Sequence, residues 1–577
     1  MDINLFIIDS LSPFFSPLEK NMEYNWSKVP FNFLEENNLL KPEYKDTILN
    51  AFESYLVKVK NLGYNAITID ELCRMVIFNF YSIKIKKKLE SYIDLYREIF
   101  KLVKNNNIKI YITTDIMFYN NDIKNFIGKR NKNKATSFLL KLAIRQLFNE
   151  FPEVDGVIFR LGESDGVDVE GDFISSLFIK TPKQCRTLIR YLLPLFEDRE
   201  KHMIIRSWTL GAYSIGDLMW NKDTVDKVFK NIESESLILS LKYGESDFFR
   251  YLNLNPLFYY GSIQKIIELQ SRREYEGFGE FPSYIGSDYE KIYRYLQKAN
   301  NLIGLSTWCQ TGGWSHFTKL TFSQDSSIWT EINTYIIPQI FKGEFDSKQA
   351  VYNFADENLG VGNGQTLYKL LKLSQKIIRE LWYIPEISSK RLYFRRSRIP
   401  TLLWNVWDNI IISHSLRRIL KSLVLERKEA IIDGYRALSK IRKLKEYAYN
   451  IGIDTEQFDY MYDTFNIIAH GREYYLGKWN LKIQDKIVEL SKEYKIKYPY
   501  GFHILIDFSL VQPRKWVIKT IFKLAIRTRP EYTLLDKLIL IRLSSLIYIL
   551  VNLKRKRKTK SSELLNEKAM GIQVFFK

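Results

Sequence analysis

From the first residues to about position 315, short runs rich in branched and aromatic apolar residues alternate with stretches whose apolar positions recur every three or four residues. Runs of the first kind fit buried strands and stretches of the second fit amphipathic helices. Eight strand candidates emerge, at 3–8, 66–69, 108–113, 156–159, 203–205, 237–241, 266–269 and 302–306, with helical spacing clearest at 137–151 and 183–196. This rhythm predicts a parallel (β/α)8 TIM-type barrel over residues 1–325. A doubly wound open sheet is the rival, but no glycine-rich phosphate loop follows the first strand.

Beyond the barrel, 326–340, 347–354, 364–382 and 400–450 read as helices, which predicts a helical domain over 326–500 packed on the barrel. Residues 501–577 form a third section with 16 basic and 5 acidic residues. Within it Lys515, Lys519, Lys523 and Arg527 recur every four positions, a basic helical stripe with Val517, Ile518, Ile521 and Leu524 turned away. The run 538–553 is nearly all apolar, and 554–560 adds six positive charges in seven positions. Such a segment is expected to attach peripherally to an anionic membrane surface at its inner face. A helical lid on the barrel is the alternative.

Composition narrows the partners. The chain has 577 residues, 46% of them hydrophobic, enough for more than one core. Lys and Arg number 86 against 66 Asp and Glu, a net charge of +20 that suits a polyanion, an anionic surface or an acidic substrate. A specific nucleic-acid partner is not expected, because the last section holds more than half of that excess and no recognition motif accompanies it. Cys73, Cys185 and Cys309 are too dispersed for a disulfide framework or a zinc site. The N-terminal apolar run has no basic region before it and no cleavage pattern, so a cytoplasmic location is expected. No run of about 18 uncharged apolar residues marks a membrane span.

In such a barrel the chemistry gathers at the carboxyl ends of the strands. The fourth strand runs into Arg160 and Glu163, the fifth into Arg206 and Trp208, and the sixth into Lys242, Asp247 and Phe248. The seventh supplies Glu268, Gln270 and Glu274, and the eighth Trp308 and Trp314. Aromatic faces stack on sugar rings, and paired carboxylates act as general acid and base on an acetal. His202, His316, His414, His470 and His503 are isolated, so neither a metal nor another cofactor is expected.

At these residues the chain resembles the α-glucuronidases of glycoside hydrolase family 67, over about residues 150–360. Lys242 followed by Asp247-Phe248 keeps the spacing of the family's sixth strand, and Glu268, Gln270, Glu274, Tyr275 and Gly277 match its seventh. Arg206 with Trp208, Glu163, Asn333 with Tyr335, and Phe345-Asp346 add to the likeness. The family's N-terminal domain has no counterpart before Ile3, and the turn 160–166 is not the family's. The resemblance implies an inverting hydrolase of an α-linked uronic acid on an oligosaccharide or polysaccharide. Glu163 would be the acid, Asp247 and Glu274 would activate water, and Lys242 and Arg206 would hold the sugar carboxylate. Two alternatives stay open: a retaining barrel glycosidase pairing Glu163 with Glu268, and a non-catalytic glycan-binding protein on the same fold.

Overall fold

The structure is a computed structural model, which describes residues 3–17, 31, 42–128, 132–162, 172–175, 177–209, 213–310, 321–323, 326–389, 391–394, 397–400, 405–406, 409–508 and 526–527. All eight expected strands form. They are β1 (Leu5–Asp9), β2 (Ala66–Asp70), β3 (Lys109–Asp115), β4 (Gly156–Gly162), β5 (His202–Thr209), β6 (Leu237–Lys242), β7 (Gln264–Gln270) and β8 (Leu302–Trp308). Each pairs in parallel with the next, and β8 returns to β1 with Gly304 opposite Leu5, which closes the barrel. Gly304 is needed at that seam, because a Cβ there would lie 2.5 Å from the Leu5 carbonyl oxygen.

Strand side chains alternate between two faces, and here the alternation separates two cores. Leu5, Ile7, Ala66, Tyr111, Ile158, Ile204, Ile238 and Ile266 fill the barrel interior. Their neighbours in sequence, such as Phe6, Ile8, Ile67, Ile110, Val157 and Ile205, face outward into the larger core under the helices. Around the barrel run α1 (Pro42–Asn61), α2 (Ile83–Asn105), α3 (Lys132–Glu150), α4 (Pro182–Glu197), α5 (Lys222–Phe229), α6 (Gly286–Leu296) and α7 (Ile328–Phe341). In α4, Thr181 caps the first turn in a reciprocal pair with Gln184, and Cys185, Leu188, Ile189, Leu192 and Phe196 form the buried face. Between β6 and β7 the chain instead makes a long irregular excursion with one short 3-10 turn, Pro256–Tyr259.

After the barrel come α8 (Ser347–Asn358), α9 (Gly364–Ile377), α10 (His414–Leu423), α11 (Arg427–Ser439), α12 (Ile441–Asn450), α13 (Glu456–Leu476) and α14 (Leu481–Lys497). They share the outer core with the barrel: the ring of Phe281, in the loop after β7, lies 5.7 Å from that of Trp382 and 5.3 Å from that of Phe465.

Two helical expectations are corrected. Residues 400–450 are not helical throughout, because Ser397–Pro400, Asn405–Val406 and Asn409–Ser413 are strands and the helix begins only at His414. The β-branched run Ile410–Ile412 favours extended backbone, and Asn409–Ser413 finds a parallel partner in His503–Asp507, beyond α14. Arg527 does not end a helical stripe: Ile526–Arg527 pairs antiparallel with Leu392 and Arg391. Lys515, Lys519, Lys523 and residues 538–560 lie outside the described residues.

Candidate active site

Continuing the inward alternation of each strand one or two steps past the interior core leads to Asp9, Asp70, Asp115, Arg160, Arg206, Trp208, Lys242, Glu268, Gln270 and Trp308. Every one lies at the carboxyl end of its strand. The barrel interior is apolar below and densely charged above.

On the side of β5 to β8 the polar side chains form separate groups. Arg206 Nε lies 3.0 and 2.9 Å from the two Glu268 oxygens, and the guanidinium sits 4.4 Å over the Trp308 ring. Glu268 also accepts from the Ser240 hydroxyl at 2.6 Å and from the Trp308 indole at 3.2 Å, and it is 0% exposed. Beside it, the Lys242 ammonium donates to Asp247 at 2.5 Å and lies 4.0 Å over Trp208 and 4.3 Å over Phe248. Asp247 accepts further from the Phe248 N–H and the Tyr275 hydroxyl, each at 2.9 Å. Gln270 clamps Glu274, donating to its carboxylate at 3.1 Å and accepting from its N–H at 2.9 Å. Asp247 and Glu274 are 8% and 9% exposed, which sets them apart from the enclosed Glu268.

On the side of β2 to β4, Arg160 is the centre of a buried cluster. Its guanidinium lies 2.7 Å from Asp115, 2.9 Å from Asp70 and 3.4 Å from Glu71, and Arg74 reaches Glu71 at 3.2 Å. Arg160, expected to touch substrate, is 2% exposed and binds carboxylates with Nε, Nη1 and Nη2, so here it neutralises the cluster. Burial pushes the Asp70 carboxyl up to about 7 against the pull of Arg160, and Glu71 and Asp115 add to the rise. At the β1–β8 seam Asp9 accepts from the Cys309 N–H at 2.7 Å. Burial first, and then Asp9, pushes the Cys309 thiol well above its ordinary range.

Of the expected site residues, the structure brings together Arg206 with Glu268 and Trp308, and Lys242 with Asp247 and Trp208. Glu163 and Trp314 lie outside the described residues, as does the isolated His316. Sequence reasoning passed over Asp9, Asp70 and Asp115, although each closes an apolar run on the inward parity, and Ser240 and Tyr275 as partners of Glu268 and Asp247. Among the described residues, no group of three or more His, Cys, Asp or Glu side chains is arranged to hold a metal ion.

No protein-family model and no curated protein matches the chain. Solved structures similar to it include a β-mannanase from the blue mussel Mytilus edulis, 13% identical over 58% of this chain and 92% of that one, with a TM-score of 0.30. A family 5 xyloglucanase from Paenibacillus pabuli is 12% identical over 50% and 90%, with a TM-score of 0.31. A homocysteine methyltransferase from Escherichia coli is equally similar in shape, 9% identical over 59% and 96%, with a TM-score of 0.31. Glycoside hydrolase barrels are thus among its structural neighbours, and a likeness of this degree does not select an activity.

Proposed function

We propose that the protein is a glycoside hydrolase that releases an α-linked uronic acid or related acidic sugar from a glycan, with inversion. One observation supports the reading: the Asp247 carboxylate accepts from Lys242, whose ammonium lies over the Trp208 ring, and from Tyr275, the residue after Glu274. In the proposed reaction Asp247 and Glu274 orient a water and take its proton as it attacks the anomeric carbon. Glu163 protonates the departing oxygen from the other face of the sugar. Trp208 offers a ring face to the sugar. The Lys242 ammonium has three N–H donors, of which Asp247 takes one, and the others can reach a substrate carboxylate.

The retaining alternative asks Glu268 to attack the anomeric carbon. A carboxylate that is 0% exposed and bonded to Arg206, Ser240 and Trp308 is better suited to hold Arg206 in place. The test is a double-mutant cycle on any uronosyl oligosaccharide the protein cleaves. Asp247→Asn and Glu274→Gln should each lower kcat by about 10²- to 10⁴-fold, and the pair together should cost little more, because groups acting on one water behave as a unit. Losses that simply multiply would refute the shared role.

A further inference from the structure

We infer that Trp382, in the helical part of the chain, is a positioning residue for Asp247: it fixes the turn that lays the Tyr275 hydroxyl on that carboxylate. The inference rests on the reading of Asp247 as a base in glycoside hydrolysis. Glu274–Glu276 is a single 3-10 turn entered through Arg273 at φ 60° and left through Gly277 at φ 94° and Phe278 at φ 54°. Two non-glycine residues in the left-handed region, one on each side of a short turn, persist only where the surroundings over-determine the backbone. Gly277 cannot gain a side chain either, since a Cβ would lie 2.4 Å from the Phe281 ring.

Part of those surroundings comes from outside the barrel. The chain leaves α9 through a π-helical turn, Ile378–Trp382, a form of turn that often marks functional positions. That turn presents Trp382 and Tyr383 to the loop after β7. The Trp382 indole donates to the Tyr275 carbonyl at 2.7 Å, and the Tyr383 hydroxyl donates to Glu276 at 2.7 Å. Both side chains are 1% exposed. Glu276 is gripped as well by Arg250 at 2.6 Å and Arg273 at 2.8 Å. Burial would push its carboxyl up, but the two guanidinium groups outweigh burial and hold it well below the usual carboxylate range. Glu276 therefore anchors one end of the turn, while Trp382 fixes the peptide plane of Tyr275 itself. With that plane set and its ring packed 4.2 Å from Phe249, the Tyr275 hydroxyl reaches Asp247. Tyr383 thus secures the neighbouring side chain, and Trp382 alone of the two bonds the residue that touches Asp247.

The experiment uses the full chain and three variants, Tyr275→Phe, Trp382→Phe and Tyr383→Phe, each studied by crystallography and by steady-state kinetics on a cleaved glycoside. In the Trp382→Phe structure the distance from the Tyr275 hydroxyl to Asp247 should open beyond 3.5 Å, a gap too wide for a hydrogen bond. The kcat of that variant should fall about 10- to 100-fold with KM changed less than about twofold, and Tyr275→Phe should match it. Tyr383→Phe, which loosens the same region without touching Tyr275, should keep the hydrogen bond and most of kcat. A Trp382→Phe structure in which the bond stays near 2.9 Å, or equal kcat losses in Trp382→Phe and Tyr383→Phe, would overturn the inference. Should Trp382→Phe not fold, Trp382→Leu also has no side-chain donor for the Tyr275 carbonyl and is judged by the same distance. If the native chain cleaves no glycoside while the bond still opens, the hydrolase reading fails and the positioning role stands.

Discussion

At Asp70 burial outweighs the neighbouring guanidinium, and the carboxyl is pushed up to about 7 from its ordinary 3.8. Between those values the folded chain keeps a proton that the unfolded chain has lost. The contribution to stability is therefore complete below about pH 4 and declines as pH rises towards 7, by up to about 1.4 kcal/mol per pH unit. Asp70→Asn keeps the shape and removes the titration, so its melting temperature should fall less between pH 4 and 7 than that of the native chain. Parallel curves would mean that Asp70 titrates normally. Lys242 makes a second prediction at this scale. Lys242→Met takes away both the partner of Asp247 and a donor for substrate. The kcat should fall for every cleaved glycoside, while KM should rise only for uronosides. A rise in KM shared by neutral glycosides would remove Lys242 from substrate recognition.

Among the elements, the eight strands were legible because each is a short β-branched run between polar boundaries, and a period of two needs no knowledge of partners. The same period, applied to the site, would have gone further than reading the residues at strand ends: inward parity from Ile204 leads to Arg206 and Trp208, and from Ile266 to Glu268 and Gln270. It would also have led from Ile7 to Asp9 and from Tyr111 to Asp115. What periodicity could not reveal depends on distant pairing or on turn geometry. The strand Asn409–Ser413 waits for His503–Asp507, and the Tyr275–Asp247 bond depends on a left-handed Arg273 and on Trp382. The barrel seam offers a test of the elements themselves. In Gly304→Ala the new methyl meets the Leu5 backbone at 2.5 Å, so β1 and β8 must part. Urea unfolding should show a loss of about 1–3 kcal/mol, as for other overpacked cores. An unchanged midpoint would show that the seam yields freely.

For the whole molecule the net charge of +20 and the catalytic reading meet at the substrate. Arg206 and Lys242 supply cations at the mouth, each already beside a carboxylate. More than half of the excess charge instead lies in residues 501–577, with 16 basic against 5 acidic residues. Among the described residues no helix is long and apolar enough to cross a membrane. If the last section attaches to an anionic surface, full-length protein should pellet with phosphatidylserine vesicles at low salt and release at high salt, and a chain ending at Tyr500 should stay in solution. Equal behaviour of the two chains would end that proposal. Inverting hydrolysis by a water that Asp247 and Glu274 activate can be followed on a panel of α-linked uronosyl oligosaccharides with proton NMR from the first seconds of reaction. The β-anomer of the uronic acid should appear first and then mutarotate. First appearance of the α-anomer would contradict inversion, and no release from any member of the panel would contradict the proposed activity.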